Sequence, residues 1–335
     1  GLLEDLWSYI DADENVKREN LMLDVLNAAQ LDGKLYELPV SFQVATTASR
    51  GRVTDSYTTW TLDDLKDAMT KLQPDATIFN VDFTKSSILT YCLYMNADSF
   101  IDWDTGACHF DSPDFLELLN FTASFPTEFD YSRFDWSSYE SDESRMNKGE
   151  QLLTFTPVYS FDDVYRLFTQ LENDLRFIGM PSRDGTTGSC FSPGSGMAIT
   201  TACKDKGAAW SFIRSLLSER YQDTISGLFP INRFSFEKLA AKAMEQEYET
   251  DDDGNPILDK DGKPIPIPKG GFSDGTTSLE IYAMTQAQYD AVLDLIHSTH
   301  QVMRYDENVQ SIIDEETGSF FAGETDAETT DRKST

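Results

Sequence analysis

Basic charge is scarce in this sequence, and so are the residues that carry most catalytic chemistry. Lys and Arg total 27 against 58 Asp and Glu, a formal net charge of −31. Nucleic acids are bound by clustered Lys and Arg, and anionic membranes by polybasic segments, so this balance argues against both. The longest apolar run, around Ile88–Met95, falls far below the roughly 18 residues that a membrane span needs. The four cysteines, Cys92, Cys108, Cys190 and Cys203, form no CxxC pair and no zinc spacing. Cys92 lies in an apolar run and reads as a buried small hydrophobe, while a Cys190–Cys203 or Cys92–Cys108 bridge stays open. Of the histidines His109, His297 and His300, the last two are three apart on an expected helix. With no third ligand nearby, an exposed helix face is favoured over a metal pair.

Catalytic motifs are missing as well. Neither GxGxxG nor GxxxxGK[ST] occurs, which removes the dinucleotide and P-loop readings. Gly194-Ser195-Gly196 lacks the outer spacing of a nucleophile elbow, and no His follows until His297. Asp251–Gly254 and Asp259–Gly262 resemble calcium loops only faintly, because neither register supplies both the central Gly and the closing Glu. A hairpin with a solvated acidic rim is the plainer reading. A glycosidase needs two carboxylates at a defined separation, and 58 acidic residues single out no pair. The absence of a catalytic motif points to binding, with no metal and no cofactor expected.

What is present is a chain of 335 residues, 40% hydrophobic and 12% aromatic, enough for a sizeable core and for two domains. Extended and helical patterns alternate along it, which gives the class as α/β. Asp32-Gly33-Lys34 marks a turn before an extended run from Leu35, expected as a strand pair with Pro39 at a start or bulge. Thr61 is the expected N-cap of a helix reaching towards Pro74, and Ser86 or Ser87 that of a helix ending at Met95. Ile101–Phe110 reads as a hairpin around Gly106, and Ser112-Pro113 as a helix start. A helix near Tyr139–Asn147, a strand Gln151–Phe155 and a helix Asp162–Leu171 follow. The Gly/Ser/Thr-rich stretch Asp184–Gly196 reads as a loop before a short strand at Met197. Lys206–Leu217 is amphipathic, with Ala209, Phe212, Ile213, Leu216 and Leu217 on its apolar face. Phe234–Tyr248, Thr285–Tyr305 and Asn308–Phe321 are the remaining helices. The polar tail Gly323–Thr335 is expected to fray.

One local constellation bears on chemistry. Tyr159-Ser-Phe161-Asp162-Asp163 follows a strand, and aromatic faces beside carboxylates suit the C–H faces and hydroxyls of a sugar. The same residues also fit an ordinary strand-to-helix turn with Asp162 or Asp163 at the helix start.

Several segments, in register, carry a family resemblance. Asp32-Gly-Lys-Leu-Tyr36-Glu-Leu-Pro39 and Thr59-Trp60-Thr-Leu-Asp-Asp-Leu65 resemble the "DGKLYGLP … TWDEL" region of bacterial extracellular solute-binding proteins of family 1. These are the maltose-binding-protein-like, sugar-binding lipoproteins of ABC importers. Asn147–Leu153 resembles the family's strand entry, Met197–Ile213 its "AIS…SKNKEAAWEFI" segment, Phe229–Arg233 its "GxPxN" turn and Phe320–Glu324 its "FxxGE". Two features depart from the pattern. The family opens with a lipobox Cys and a β-α-β-α unit that precede the segment matched by Gly1–Ile10, so part of the first lobe is expected to be missing. It also ends in an amphipathic helix, whereas Thr325–Thr335 has no apolar face.

The resemblance implies a periplasmic-binding-protein-like type II fold, two α/β lobes with a ligand cleft between them. By order of motifs, 1–49 and 184–228 would form the first lobe, and 50–183 and 229–335 the second. It implies a monomeric, extracellular substrate-binding protein, lipid-anchored in its full-length form, that passes a sugar or oligosaccharide to a membrane permease. The contacts it implies are Gln43, Ser87, Tyr159, Phe161, Asp162, Ser195, Tyr282 and Met284. A peptide or polyamine ligand is the alternative within binding proteins, and a carboxylate-dependent carbohydrate hydrolase the alternative outside them.

Overall fold

The computed structural model describes residues 1–183, 185–186, 188–273, 278–304, 306–327 and 330. Its strands are β1 Leu38–Arg50, β2 Ile101–Asp102, β3 Ala107–Cys108, β4 Thr154–Val158, β5 Leu175–Phe177, β6 Cys190–Met197, β7 Phe229–Pro230, β8 Gly270–Ser273 and β9 Ser278–Ile281. The β2–β3 and β8–β9 pairs are separate hairpins, and the other five strands form one sheet in which every partner pairs with β1. The partners are all antiparallel. Positions of β1 with two partners, such as Ser41 (Ser195 and Pro230) and Ala48 (Thr154 and Phe177), place β6 and β5 along one flank. By the same pairings, β7 and β4 line the other.

The extended run from Leu35 is thus a single strand of 13 residues rather than a strand pair. Pro39 lies near two register shifts, between Pro39 and Ser41 and between Ser41 and Phe42, as the bulge reading expects. The stretch expected as a loop up to Gly196 contains β6. Glycine and proline lower the strand propensity of Cys190–Met197, but β1 imposes the ladder, and Pro193 falls beside those irregular rungs.

Because successive residues of a strand face opposite sides, β1 serves two cores at once. Leu38, Phe42 and Val44 lie in a cluster built from 6–44, 158–168 and 191–302. Ala45 lies in a second cluster built from 45–153, 178–190 and residues up to 327. Ala48 packs in a small third cluster with Met146, Leu167 and Leu171. The apolar packing therefore divides the chain differently from the order of motifs. Segment 229–302 joins the N-terminal segment, because Phe229 and Phe236 lie 5.5 and 6.5 Å from Phe42 and the Met22 N–H donates to the Ile231 carbonyl at 2.9 Å.

Local signals mostly place the helices. Thr61 closes a capping box with Asp64 ahead of Leu62–Met69, and Ser112 caps Pro113–Thr122. The helix Lys85–Met95 starts earlier than expected: Thr84 is its N-cap, and Ser87 is the reciprocal third residue. Asp142–Lys148 starts later, capped by Ser141, and β4 begins three residues beyond its expected start. In Lys206–Leu217 the buried face is Trp210, Ile213 and Leu217, and Phe212 is exposed. All four cysteines are free, with Cys92 buried as expected. His297 bonds Asp24 at 3.2 Å, and no group of metal-ligating side chains occurs among the described residues. Residues 328–329 and 331–335 of the tail, with Asp184, Thr187 and Tyr305, lie outside the described residues.

Two buried charges hold the ends of this arrangement. Arg50, the last residue of β1, has only 3% of its side chain exposed and pairs with Asp174 at 2.9 Å and Glu172 at 3.0 Å. Arg50→Ala removes two charge-assisted hydrogen bonds and the packing of a nearly fully buried side chain, and is expected to cost about 3 kcal/mol in chemical denaturation. A loss below about 1 kcal/mol would show that β1 needs no such anchor. At the other end, Asp13 accepts from Trp210 Nε1 at 2.8 Å and from the backbone N–H groups of Asn15 and Val16. Burial would raise this carboxyl, but those bonds and Arg214 outweigh it and hold it below the usual range. Its stabilising contribution is therefore present above the unfolded value of about 3.9 and is lost as pH falls through the folded value. Asp13→Asn should flatten the fall in urea midpoint below about pH 4, and an unchanged acid limb would count against this role.

Candidate functional site

Among the residues of β1, all are buried except Gln43. Its neighbours on the same strand face are Ser41 on one side and Ala45, at the edge of the second core, on the other. Gln43 therefore stands where the second core ends and the sheet face opens. Its Nε2 donates to Ser192 Oγ at 3.2 Å, directly across the β1–β6 ladder. Ser195 sits opposite Ser41 further along the same pair and is exposed. Tyr159 comes one residue after Val158, the partner of Val44, so it leaves the sheet next to the Gln43 rung and is 40% exposed. These five side chains form a floor of hydroxyls, one amide and one aromatic ring, with no formal charge. Glu37 lies at its rim, packed against Gly196, where a Cβ would collide with its carboxylate.

A cavity of about 560 Å³ adjoins this floor. Ser160, next to Tyr159, lines it, and so does Leu228, whose side chain fills the space beside Gly194 of β6. Asp162, Glu247, Lys242 and Lys269 give its wall two charges of each sign. The volume falls within the range of small-molecule pockets, roughly 300–1,000 Å³. The overall charge of −31 is thus not concentrated at this site.

Polar contacts also join the segments of the two cores away from the sheet. The Asp32 N–H donates to the Asp104 carboxylate at 2.7 Å, and Arg304 Nη2 donates to the Gln30 carbonyl at 3.1 Å. The Arg304 guanidinium lies 5.7 Å from the centre of the Trp103 ring. Burial lowers the Arg304 pKa, against the pull of Asp98 and Asp104, and its Nε is buried without a partner among the described residues. Burial likewise raises the Asp98 carboxyl despite Arg304 and the Trp103 indole, which donates to it at 2.8 Å.

The sugar-binding protein MalE from Xanthomonas citri superposes with a TM-score of 0.56 at 15% identity, over 99% of this chain and 77% of that one. The fold is that of the periplasmic-binding-protein-like solute-binding proteins. A cyclic alpha-maltosyl-1,6-maltose binding protein from Arthrobacter globiformis gives 0.53 at 14% identity, over 100% and 78%. An ABC substrate-binding protein from Listeria monocytogenes, in complex with cycloalternan, gives 0.51 at 15%, also over 100% and 78%. No family model and no curated protein sequence matches the chain.

Within this solute-binding fold the expected contacts separate into groups. Gln43, Tyr159 and Ser195 come together at the floor, and Asp162 lines the cavity, where it accepts from the Tyr165 hydroxyl at 2.6 Å. Phe161 is only 4% exposed: it is the first residue of the helix Phe161–Gln170, packed 5.0 Å from Phe229 and 5.1 Å from Phe236. It is a core residue that closes the back of the cavity, and Asp163 supplies the reciprocal half of a capping box with Ser160. Met284 is 3% exposed in the first core, with its N–H bonded to the Ala243 carbonyl. Ser87 is closed into its own cap, accepting from the Thr84 N–H at 2.8 Å and donating to the Thr84 carbonyl at 2.9 Å. Tyr282 is exposed beyond β9 and donates to Glu280. Ser41 and Ser192 escaped the sequence reading, since only recognition of β6 as a strand sets Ser192 against Gln43.

These placements separate core from floor by experiment. Phe161→Ala and Met284→Ala are expected to cost about 3 kcal/mol each in stability. Gln43→Ala should change stability by less than about 1 kcal/mol. Near-neutral stability for Phe161→Ala would return that ring to the list of ligand contacts.

Proposed function

We propose that this chain is the substrate-binding component of an ABC importer and captures a sugar or oligosaccharide reversibly between its two lobes. The observation that carries the reading is Gln43, the one unburied position of β1, set in an uncharged hydroxyl- and amide-rich floor where the two cores meet. A sugar presents many hydroxyls and no charge, so it matches such a floor. Buried polar groups left unpaired are costly, which lets the floor reject poorly matched analogues. Tyr159 supplies an aromatic face beside it, and the adjoining cavity has room for more than one ring.

In this reading the lobes follow the two apolar cores, and β1, β4 and β6 cross between them. Ligand bridging both lobes would favour the closed arrangement, since it gains contacts there that the open one lacks. No bond is made or broken: the protein is a non-enzymatic carrier, working as an extracellular monomer that is lipid-anchored in its full-length form and hands its cargo to a membrane permease. The sugar-binding proteins that share the fold support this assignment.

The test is intrinsic fluorescence and calorimetry with a panel of mono- and oligosaccharides, together with chromatography of each mixture. A saturable response without product is expected, weakened about tenfold or more by Gln43→Ala. Release of product from any glycoside would overturn the carrier reading. A response confined to polyamines or peptides would overturn the sugar assignment and leave a binding protein for a cation.

A further inference from the structure

The loop between the helices Pro113–Thr122 and Asp142–Lys148 contains a short tandem repeat. Phe129-Asp130-Tyr131-Ser132-Arg133 is followed at once by Phe134-Asp135-Trp136-Ser137-Ser138. The two units fold alike. Asp130 Oδ1 accepts from the Ser132 N–H at 3.0 Å and its hydroxyl at 2.6 Å, and Asp135 Oδ1 accepts from Ser137 at the same two distances. In each unit the half-buried Phe stands edge-on to the following aromatic ring: Phe129 lies 4.7 Å from Tyr131 at 81°, and Phe134 lies 5.1 Å from Trp136 at 76°.

The outcome is a pair of outward rings. Tyr131 is 59% exposed and Trp136 55%, their planes within 18° of each other and their centres 6.3 Å apart. Tyr139, 49% exposed, extends the row at 5.9 Å from Trp136. Exposed apolar surface of this kind is ordinarily kept small in a soluble protein, so its repetition calls for an occupant. Hydroxyls and carboxylates alternate with the rings along the chain. The Ser132 and Ser137 hydroxyl and backbone bonds hold Asp130 and Asp135 below the usual carboxylate range, so both remain acceptors.

We propose that this strip is a second carbohydrate-binding surface, docking an extended glycan on the parallel faces of Tyr131 and Trp136. A pyranose ring has an apolar C–H face and a rim of hydroxyls, the same alternation the strip presents, and its polarised C–H groups suit the negative ring face. Nucleic-acid bases also stack on aromatic platforms, but the acidic flank repels their phosphates. A quaternary ammonium binds best inside a cage of rings, whereas Tyr131 and Trp136 are nearly parallel and each more than half exposed. The inference does not rest on the ligand of the floor at Gln43, since the ring contacts of this loop stay within it among the described residues.

The test is affinity electrophoresis of the whole chain in native gels cast with soluble starch, arabinoxylan or barley β-glucan. At least one polysaccharide should retard the protein, and the Tyr131→Ala/Trp136→Ala double variant should need roughly tenfold more polysaccharide for the same retardation. That variant should keep the wild-type thermal midpoint and any saccharide response of the floor, and Gln43→Ala should keep the retardation. No retardation in any of the three gels would overturn the proposal. So would retardation that survives the double variant, or that is lost with Gln43→Ala instead. A Trp136-dependent fluorescence change with tetramethylammonium and none with the glycans would replace the sugar by a cation and also overturn it.

Discussion

The backbone ladder of β1 is the constraint on which the rest of the molecule depends. Four strands pair with it and with no other strand of that sheet, and its two faces are claimed by different cores. A strand so placed must be apolar on both faces, and Leu38–Arg50 is, apart from the polar residues the architecture can use. Thr47 donates to the Gly179 carbonyl and Ser49 to the Leu152 carbonyl at 2.9 Å, so buried hydroxyls take the place of apolar contacts and tie the second core to the sheet. Trp60 Nε1 converges on the same Gly179 carbonyl at 3.2 Å. Gly179 has φ of +73°, and a Cβ there would lie 2.7 Å from the Gly188 backbone, so glycine is needed for this junction to close.

The floor is a by-product of that economy. Once Phe42 and Val44 are committed to the first core and Ala45 to the second, Gln43 is the residue left over where neither core covers the sheet. Little else surrounds it: polar side chains at two alternate rungs of the β1–β6 ladder, a nearby aromatic ring, and a cavity beside them. The contacts between Asp32 and Asp104 and between Arg304 and Gln30 connect the two halves on another side, so the halves are coupled by more than the sheet.

Features set by a few neighbouring residues could be read directly from the sequence. The caps at Thr61 and Ser112, the turn at Gly106 and the core role of Cys92 rest on local hydrogen bonding or local hydropathy, and they stand where expected. Features set by distant partners could not. Cys190–Met197 has the composition of a loop and is a strand because β1 lies beside it. Phe161 looks equally suited to ligand or core until Phe229 and Phe236 are folded against it, and Met284 until the first core encloses it. The packing of 229–302 against the N-terminal segment is of the same kind, because apolar contact across the chain, not the order of motifs along it, decides which residues share a core. Of the contacts the resemblance implies, Gln43, Tyr159 and Ser195 lie on the sheet or at its edge, whereas Phe161 and Met284 are core residues, Ser87 is closed into a helix cap and Tyr282 lies beyond β9.

Every partner of β1 follows it in the sequence, which governs the order in which the sheet can form. Val44 has no partner until Val158 has been synthesised, Phe191 comes later still, and Phe42 gains Pro193 on one edge well before Phe229 on the other. Until β4 is made, this 13-residue strand therefore exists with both edges unpaired, and sheet formation is dominated by contacts of long sequence separation. Such a topology folds slowly, and the unpaired strand is a template for wrong pairing until its partner strands emerge. The feature that gives the finished protein its central spine is, during biosynthesis, its greatest hazard.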